Sequence, residues 1–366
     1  MPIYMDIHHV PGAEALDLAE AHRKDILIQE EYRCTCMTYW LDVARGVAFC
    51  LIEAPHKGVV EEMHRKSHGL VPNKIIEVNN ALVESFLGRI QDPEDAGISD
   101  NGLKVFSESA IRILLLTDIT DPVLLRHSHG PEKTHELLNR LQTTIRTTVS
   151  AHGGREVEYA GNGSIASFSS ASRAVACAVE IQRRLPDEDK RSIGVKIGLN
   201  AGEPVADSDR LFGDTIQLAR YLCTIASKGR IVIAAGVKEL LAPDYFPTGQ
   251  DQVMMLSPQD ETLLKSLFRT LEDNWQDTNF DVPEFGQAVA MSKSGLYRKT
   301  MALWGLPPHL LLKEFRLDKA RELLKSQSCN IAQTTFDSGF SSPSYFTKCF
   351  KKRFGLLPAM YLDSVQ

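Results

Sequence analysis

The chain has 366 residues, 43% of them hydrophobic, and a formal net charge of −6 at pH 7, which predicts two or three domains with separate cores. No apolar run is long enough to predict a membrane span, and the start, MPIYMDIHH, lacks the basic and hydrophobic parts of a secretory leader, so a soluble cytoplasmic protein is expected. Seven cysteines, at 34, 36, 50, 177, 223, 329 and 349, are odd in number and scattered, which excludes a disulfide framework. Two stretches read as linkers: the acidic, Gly/Ser/Asn-rich 91–109, and 243–259, which has three prolines and no clear period. They divide the chain into 1–90, 110–242 and 259–366.

In the first segment the patterning predicts a strand over 3–9, a helix over 13–32, strands over 35–42 and 46–53, a helix over 57–68 and a strand over 74–78. The order βαββαβ is that of a ferredoxin-like sandwich. His64 and His68 stand four apart on the second helix, so both imidazoles leave one face and can share an ion, with His8 of the first strand able to join them. Cys34 and Cys36 alternate on one strand and share a sheet face, with Cys50 on the neighbouring strand. Histidines at this spacing also occur as solvent-facing or structural groups, and buried cysteines as small hydrophobes. The strings MDIHHVPG, YW-x-D, AFCLIEAPHK, MHRKSHG and IIEV resemble a small family of ferredoxin-like domains, some members of which bind nickel. The resemblance implies a site for nickel or another transition metal, with His8, His64, His68, Cys34 and Cys36 as candidate ligands. It equally implies a domain that dimerises through its sheet, and both expectations stand.

The second segment opens with IRILLLTDIT, a near-continuous apolar strand ending in a carboxylate. A long helix follows, then HGGREVEYAGNGSIASF, a helix with Ala174, Ala178 and Ile181 at apolar positions, VKIGLNAGE, FGDTIQLARYL and GRIVIAAGV. The series resembles the class III nucleotidyl cyclase catalytic domain. That resemblance implies two aspartates on adjacent strands holding two cations, which clamp a triphosphate and activate the ribose 3′-hydroxyl. Asp118 matches the first; at the second, Asn162 of Gly161-Asn162-Gly163 is an amide and carries no charge. Glu158 stands where a base-reading lysine is implied, and Arg210 where an Asp or Thr of the purine pocket is implied. Gln217 and Tyr221 stand where an asparagine and an arginine would stabilise the transition state. These departures predict a domain that dimerises or binds nucleotide without turnover. The competing expectation is a nucleotidyl cyclase controlled by its flanking domains.

The third segment carries two helix-turn-helix units, with Ser257-Pro258 a suitable helix start. The first pairs a helix over 282–290 with one over 293–303 that stops at Gly305. Leu296, Thr300 and Leu303 point inward, leaving Ser292, Lys293, Ser294, Tyr297 and Arg298 outward, and Arg298 suited to a guanine edge. An amphipathic helix over 308–325 joins the units. In the second, Gly339 supplies a positive-φ corner, Ser341 or Ser342 caps the next helix and Pro343 takes its first position. Tyr345, Phe346, Phe350 and Phe354 form the expected buried stripe, opposite Ser344, Thr347, Lys348, Lys351 and Lys352. An aromatic underside with a polar, basic outer face fits a major groove.

SKSGLYRK, RLDKARELL and GFSSPSYFTKCFKKRFG-x-x-P, in that order and spacing, resemble the AraC/XylS-type DNA-binding domain over residues 259 to 363. The resemblance implies seven helices and two recognition helices in successive major grooves. It places Ser294, Tyr297 and Arg298, then Pro343, Ser344, Thr347 and Lys348, against bases. Thr334 and Thr335 replace the usual aliphatic and alanine, which predicts a less tightly packed second unit. Charge agrees with a DNA-binding end: residues 291–366 hold twelve Lys and Arg against five Asp and Glu, a surplus of seven, so the remainder carries −13 of the net −6. The expected fold is therefore multidomain, α/β plus all-α. The expected function is a dimeric AraC-type transcription regulator that binds double-stranded DNA and senses a metal, small-molecule or nucleotide effector.

Overall fold

The computed structural model describes residues 1–158, 163–186, 188–189, 193–226, 229–242, 252–326 and 330–365. Four antiparallel strands, β1 (Ile3–His9), β2 (Thr35–Asp42), β3 (Val47–Glu53) and β4 (Lys74–Val78), form a sheet in the order β2-β3-β1-β4. Helices Ala15–Ile28 and Lys57–Ser67 connect them, which gives the βαββαβ order. Alternation along the strands separates two layers. Tyr4, Cys50 and Ile52 pack beneath the two helices against Leu18, Ala21, Val60 and Met63, while Met5, Ile7, Phe49 and Leu51 face the other way.

That other face is covered from within the chain. A second sheet has the order β12-β11-β10-β7-β9-β8, from β7 (Arg112–Asp118), β8 (Arg155–Val157), β9 (Ile165–Phe168), β10 (Lys196–Gly202), β11 (Ile231–Ile233) and β12 (Val253–Met255). Ile113 and Leu115 of β7 pack with Leu141, Ile145, Ala178 and Ile181 of helices Pro131–Ala151 and Ala171–Arg184. Leu114 and Leu116 point oppositely and share a core with Met5, Ile7, Trp40, Phe49 and Leu51. The face through which the first sheet was expected to pair with a second copy is thus occupied by the chain's own middle segment. Polar ties border the seam: the Ser167 hydroxyl donates to the Phe86 carbonyl at 2.7 Å, and Arg112 donates to that of Leu87 at 3.0 Å.

Both expected linkers contain ordered structure. Within 91–109, β5 (Gly97–Ile98) and β6 (Lys104–Val105) pair as a short hairpin. Phe106 then stacks on Tyr39 with ring centroids 4.1 Å apart, and Arg89, just before the stretch, lies 5.0 Å over the Phe106 ring and 4.4 Å over that of Trp40, so aromatic contacts bind this polar stretch to the first sheet. Within 243–259, Val253–Met255 adds a parallel edge strand to β11; three residues are too few for their period to show in sequence.

Seven helices make up the C-terminal part among the described residues: Pro258–Asn274, Val282–Ala288, Lys293–Trp304, Pro308–Lys325, Ile331–Asp337, Pro343–Phe354 and Pro358–Val365. The first is capped by the Ser257 side chain. Its Leu264, Leu267, Phe268 and Leu271 continue the middle core into that of the first unit, with Phe285, Leu296, Leu303 and Leu311. The second unit has its own core of Leu317, Ala320, Leu324, Phe346, Phe350, Phe354 and Tyr361, which also takes in Leu124 from the middle segment. Gly339, at φ 76°, is needed twice over: a Cβ there would lie 2.2 Å from the Trp275 carbonyl oxygen. No described helix is long and apolar enough to cross a membrane.

One packing expectation is corrected. Tyr345 is 54% exposed, because it stands about 100° around the helix from Phe346, and the buried stripe runs Phe346, Phe350, Phe354. Thr334 and Thr335 are both buried; the Thr335 hydroxyl donates to the Ile331 carbonyl at 2.8 Å, while the Thr334 hydroxyl has no hydrogen-bond partner among the described residues. Phe350→Ala is expected to remove about 3–5 kcal/mol from this second core, measured as a lower urea midpoint of the C-terminal transition with the other transitions unmoved.

Candidate functional site

A buried charged cluster lies between the first sheet and its helices. Asp6 and His8 share the helix-facing side of β1, and Asp6 pairs in register with Cys50 of β3, whose backbone N–H donates to Asp6 Oδ1 at 3.1 Å. His64 enters from the second helix and sits between two carboxylates, with Nε2 3.0 Å from Asp6 Oδ2 and Nδ1 3.1 Å from Asp25 Oδ2. His68 Nε2 lies 3.2 Å from Asp25 Oδ2, and the Ser67 hydroxyl donates to Asp25 Oδ1 at 2.5 Å. Burial disfavours the charged form of His64, but hydrogen bonds to Asp25 and Asp6 outweigh it and push the ring up to about 10. Burial likewise opposes ionisation of Asp6, yet the charge of His8 and the contacts of His64 hold its carboxyl well below the usual range. Asp25 is lowered in the same way by His64 and His68 against the penalty of burial.

Two groups of donor atoms here are close enough to hold an ion: Asp6, His8, Cys50 and His64, and Asp25, His64 and His68, each with all atoms within 4.8 Å of one another. The first fits a transition metal by its donor set of imidazole, carboxylate and thiol. It also contains an orphan. His8 Nε2 is 3.3 Å from Asp6 Oδ1 but out of hydrogen-bond alignment, so both buried ring nitrogens of His8 lack a hydrogen-bond partner.

The structure therefore brings His8, His64 and His68 together and leaves Cys34 and Cys36 outside both groups. Sheet order is the reason: β2 is the edge strand, separated from β1 by β3, so Cys50 takes the place next to Asp6. The Cys34 thiol contacts the Tyr32 carbonyl at 3.6 Å, and burial pushes it up to about 11. Asp6, Asp25 and Cys50 complete the two groups and were not among the candidate ligands taken from sequence. Asp6 had a signal, two positions before His8 on the same strand face. Asp25 had another: buried residues of its helix recur at Leu18, Ala21, His22 and Asp25, a core face on which a carboxylate is out of place.

At the cyclase-like face, Asp118 ends β7 opposite Lys196 of β10. Burial raises its pKa, opposed by the charges of Lys196 and of Arg321 from helix Pro308–Lys325. Gly163 is tight against β7, where a Cβ would lie 1.7 Å from the Thr117 carbonyl oxygen; Asn162 lies outside the described residues. Glu158 and Arg210 are exposed. Gln217 and Tyr221 are engaged by the C-terminal part: Tyr221 donates to Glu272 Oε2 at 2.7 Å, Gln217 Nε2 donates to Tyr221 Oη at 2.6 Å, and the Tyr221 ring stacks on Phe268 at 4.0 Å and 4°. A further tie runs from Tyr361 Oη to Asp121 Oδ2 at 3.0 Å.

The two recognition helices present the outward residues. Ser292 caps the first by accepting from the Gly295 N–H at 3.2 Å, and Ser292, Lys293, Ser294, Tyr297 and Arg298 line an open groove. Ser342 caps the second. Pro343, Ser344, Lys348, Lys351 and Lys352 are exposed and Thr347 is half-buried, and Tyr345 joins them on the outer surface.

Three family models match the chain: "Nickel responsive protein SCO4226-like" over residues 4–78, "Adenylate and Guanylate cyclase catalytic domain" over 107–266 and "Helix-turn-helix domain" over 285–364. The chain is 40% identical over 106 residues to "Histidine kinase P4" of Formosa agariphila, covering 29% of this chain and 8% of that protein. It is 32% identical over 116 residues to "Putative adenylate cyclase 3" of Rhizobium meliloti, covering 30% and 19%. The chain thus spans less than a fifth of the length of either relative. Among solved structures, SCO4226 from Streptomyces coelicolor is 28% identical, with 21% of this chain and 94% of that one covered at a TM-score of 0.20. The three segments are accordingly an SCO4226-like domain, a cyclase-like domain and an AraC-type helix-turn-helix domain.

His64→Ala leaves two buried carboxylates without the cation between them. It is expected to destabilise the N-terminal part by about 3–5 kcal/mol at neutral pH, seen as an earlier urea transition; an unmoved midpoint would show that the network contributes nothing.

Proposed function

We propose that the chain is a sequence-specific transcription regulator of the AraC type, acting as a homodimer on double-stranded DNA, with a transition metal as effector of its N-terminal domain. The observation that carries the DNA-binding part is the pair of recognition helices, each with a buried apolar underside and an exposed polar or basic face. Arg298 is placed to read a base edge, and Lys348, Lys351 and Lys352 to neutralise phosphates. In a dimer the two copies would set the spacing of paired half-sites.

For the effector, Asp6, His8, Cys50 and His64 would hold the ion, and nickel is the metal in the matched family's name. Bound there, it would supply positive charge that draws β1, β3 and the second helix together. Asp6 and Cys50 alternate along their strands with Met5, Ile7, Phe49 and Leu51, which pack against the middle domain. A shift of these strands is therefore felt at the seam, and regulation requires the ion to favour one of two arrangements of that seam. The cyclase-like domain serves as the rigid body between input and output and does not turn over nucleotide. The engagement of Gln217 and Tyr221 by Glu272 and Phe268 supports that assignment.

Arg298→Ala is expected to weaken specific DNA binding by about 1–3 kcal/mol and relax preference at one base pair, whereas Lys351→Ala should weaken all sequences evenly and lower the salt slope by about 1. Gel-shift titrations on selected and random DNA at several salt concentrations distinguish them. Equal loss on both DNAs for Arg298→Ala would remove it from base readout. Purified protein with ATP or GTP and Mn²⁺ should yield no cyclic nucleotide; product that disappears with Asp118→Ala would establish an enzyme instead.

A further inference from the structure

His64 belongs to both candidate ligand groups, and hydrogen bonding around His68 distinguishes them. His68 Nδ1 accepts the backbone N–H of Leu70 at 3.2 Å. In the neutral ring the proton then sits on Nε2, the nitrogen that faces Asp25 Oδ2 at 3.2 Å and His64 Nδ1 at 3.0 Å. The Ser67 hydroxyl also points at Asp25, so three donors converge on one carboxylate. That is a satisfied hydrogen-bond network rather than a set of open ligands. On the other side of His64, Nε2 also contacts Asp6 Oδ2 at 3.0 Å, but both buried ring nitrogens of His8 lack a hydrogen-bond partner, Nε2 lying 3.3 Å from Asp6 Oδ1 out of alignment, and the Cys50 thiol is buried beside Asp6.

We propose that Asp25, held in place by Ser67 and His68, is the positioning carboxylate of a single-ion site made by Asp6, His8, Cys50 and His64. By accepting the Nδ1 proton of His64 it fixes the tautomer in which the Nε2 lone pair faces the ion. Carboxylate–histidine pairs orient metal ligands in this way and raise their basicity. The ion is a first-row divalent transition cation, the class suited to two imidazoles, one carboxylate and one thiolate. His68 acts on the ion only through Asp25. The proposal rests on the metal reading given above and specifies its ligands and its stoichiometry.

The full chain is titrated with Ni²⁺ and with Co²⁺, with metal content per chain measured after desalting and thiolate-to-Co²⁺ charge-transfer absorption recorded. One ion per chain is expected for the wild type, for Asp25→Asn and for His68→Gln. Asp25→Asn should bind about 10–100-fold more weakly while keeping the thiolate band at saturation, and Cys50→Ser should lose the band. Ser67→Ala, a milder change at the same carboxylate, should weaken binding in the same direction and by less, which keeps the test open if Asp25→Asn does not fold. Two ions in the wild type falling to one in Asp25→Asn and His68→Gln would make Asp25, His64 and His68 a second site and overturn the proposal. Unchanged affinity in both Asp25→Asn and Ser67→Ala would overturn it as well. A wild-type chain that takes up neither cation would overturn the metal reading itself.

Discussion

Strand β7 has to be buried on both faces, and the arrangement of the chain follows from that. Ile113 and Leu115 on one side and Leu114 and Leu116 on the other leave no side of this strand fit for water. Its own helices cover the first pair. The second pair needs another apolar layer, and the outer face of the first sheet supplies it through Met5, Ile7, Phe49 and Leu51. Each surface removes the other's exposed apolar patch, which an isolated domain would otherwise present for association. The N-terminal domain is thereby a layer of the middle domain's packing rather than an appendage on a linker.

The opposite side of the middle domain is bound to the DNA-binding part with similar economy. Where the cyclase resemblance implies an arginine, Tyr221 supplies a flat ring for Phe268 and a hydroxyl for Glu272. The ring lies flat on Phe268, with centroids 4.0 Å apart and planes at 4°, and its hydroxyl joins Gln217 to Glu272. Near Asp118 the charges of Lys196 and of Arg321, from the DNA-binding part, favour the ionised carboxylate against burial.

Much of this was legible in the sequence. The βαββαβ order, the apolar β7, the caps at Ser257 and Ser292 and the inward Leu296, Thr300 and Leu303 depend on local propensity and periodicity, and they appear as expected. What was not legible depends on contacts between distant residues. The hairpin in 91–109 is held by Phe106 on Tyr39, and β12 by pairing with β11. The ligand group shows the same division. The proximity of His64 and His68 was readable from spacing within one helix, while the place of Cys50 beside Asp6, with Cys34 and Cys36 farther off, depends on β3 lying between β1 and β2. Tyr345 is a separate case, since a helical rotation of about 100° from Phe346 was readable and places it outside.

The position of the charged cluster bears on how input and output are joined. Charges as deeply buried as Asp6, His64 and Asp25 stabilise a fold poorly compared with apolar residues of the same size. Their retention is better explained by discrimination between states than by stability. In the metal reading proposed above, a cation beside His64 would compete with the proton on Nε2 for the same lone pair and would set a different distance between Asp6 and His64. β1 and β3 carry that difference directly to Met5, Ile7, Phe49 and Leu51, and these residues touch the face of β7 whose other side is packed in the core continuous with Phe268 and Phe285. Packed strands and helix Pro258–Asn274 thus lie between the cluster and the first recognition helix. In close-packed layers of this kind a small displacement has few ways to relax, which allows a change of a few tenths of an ångström at one end to bias an arrangement at the other.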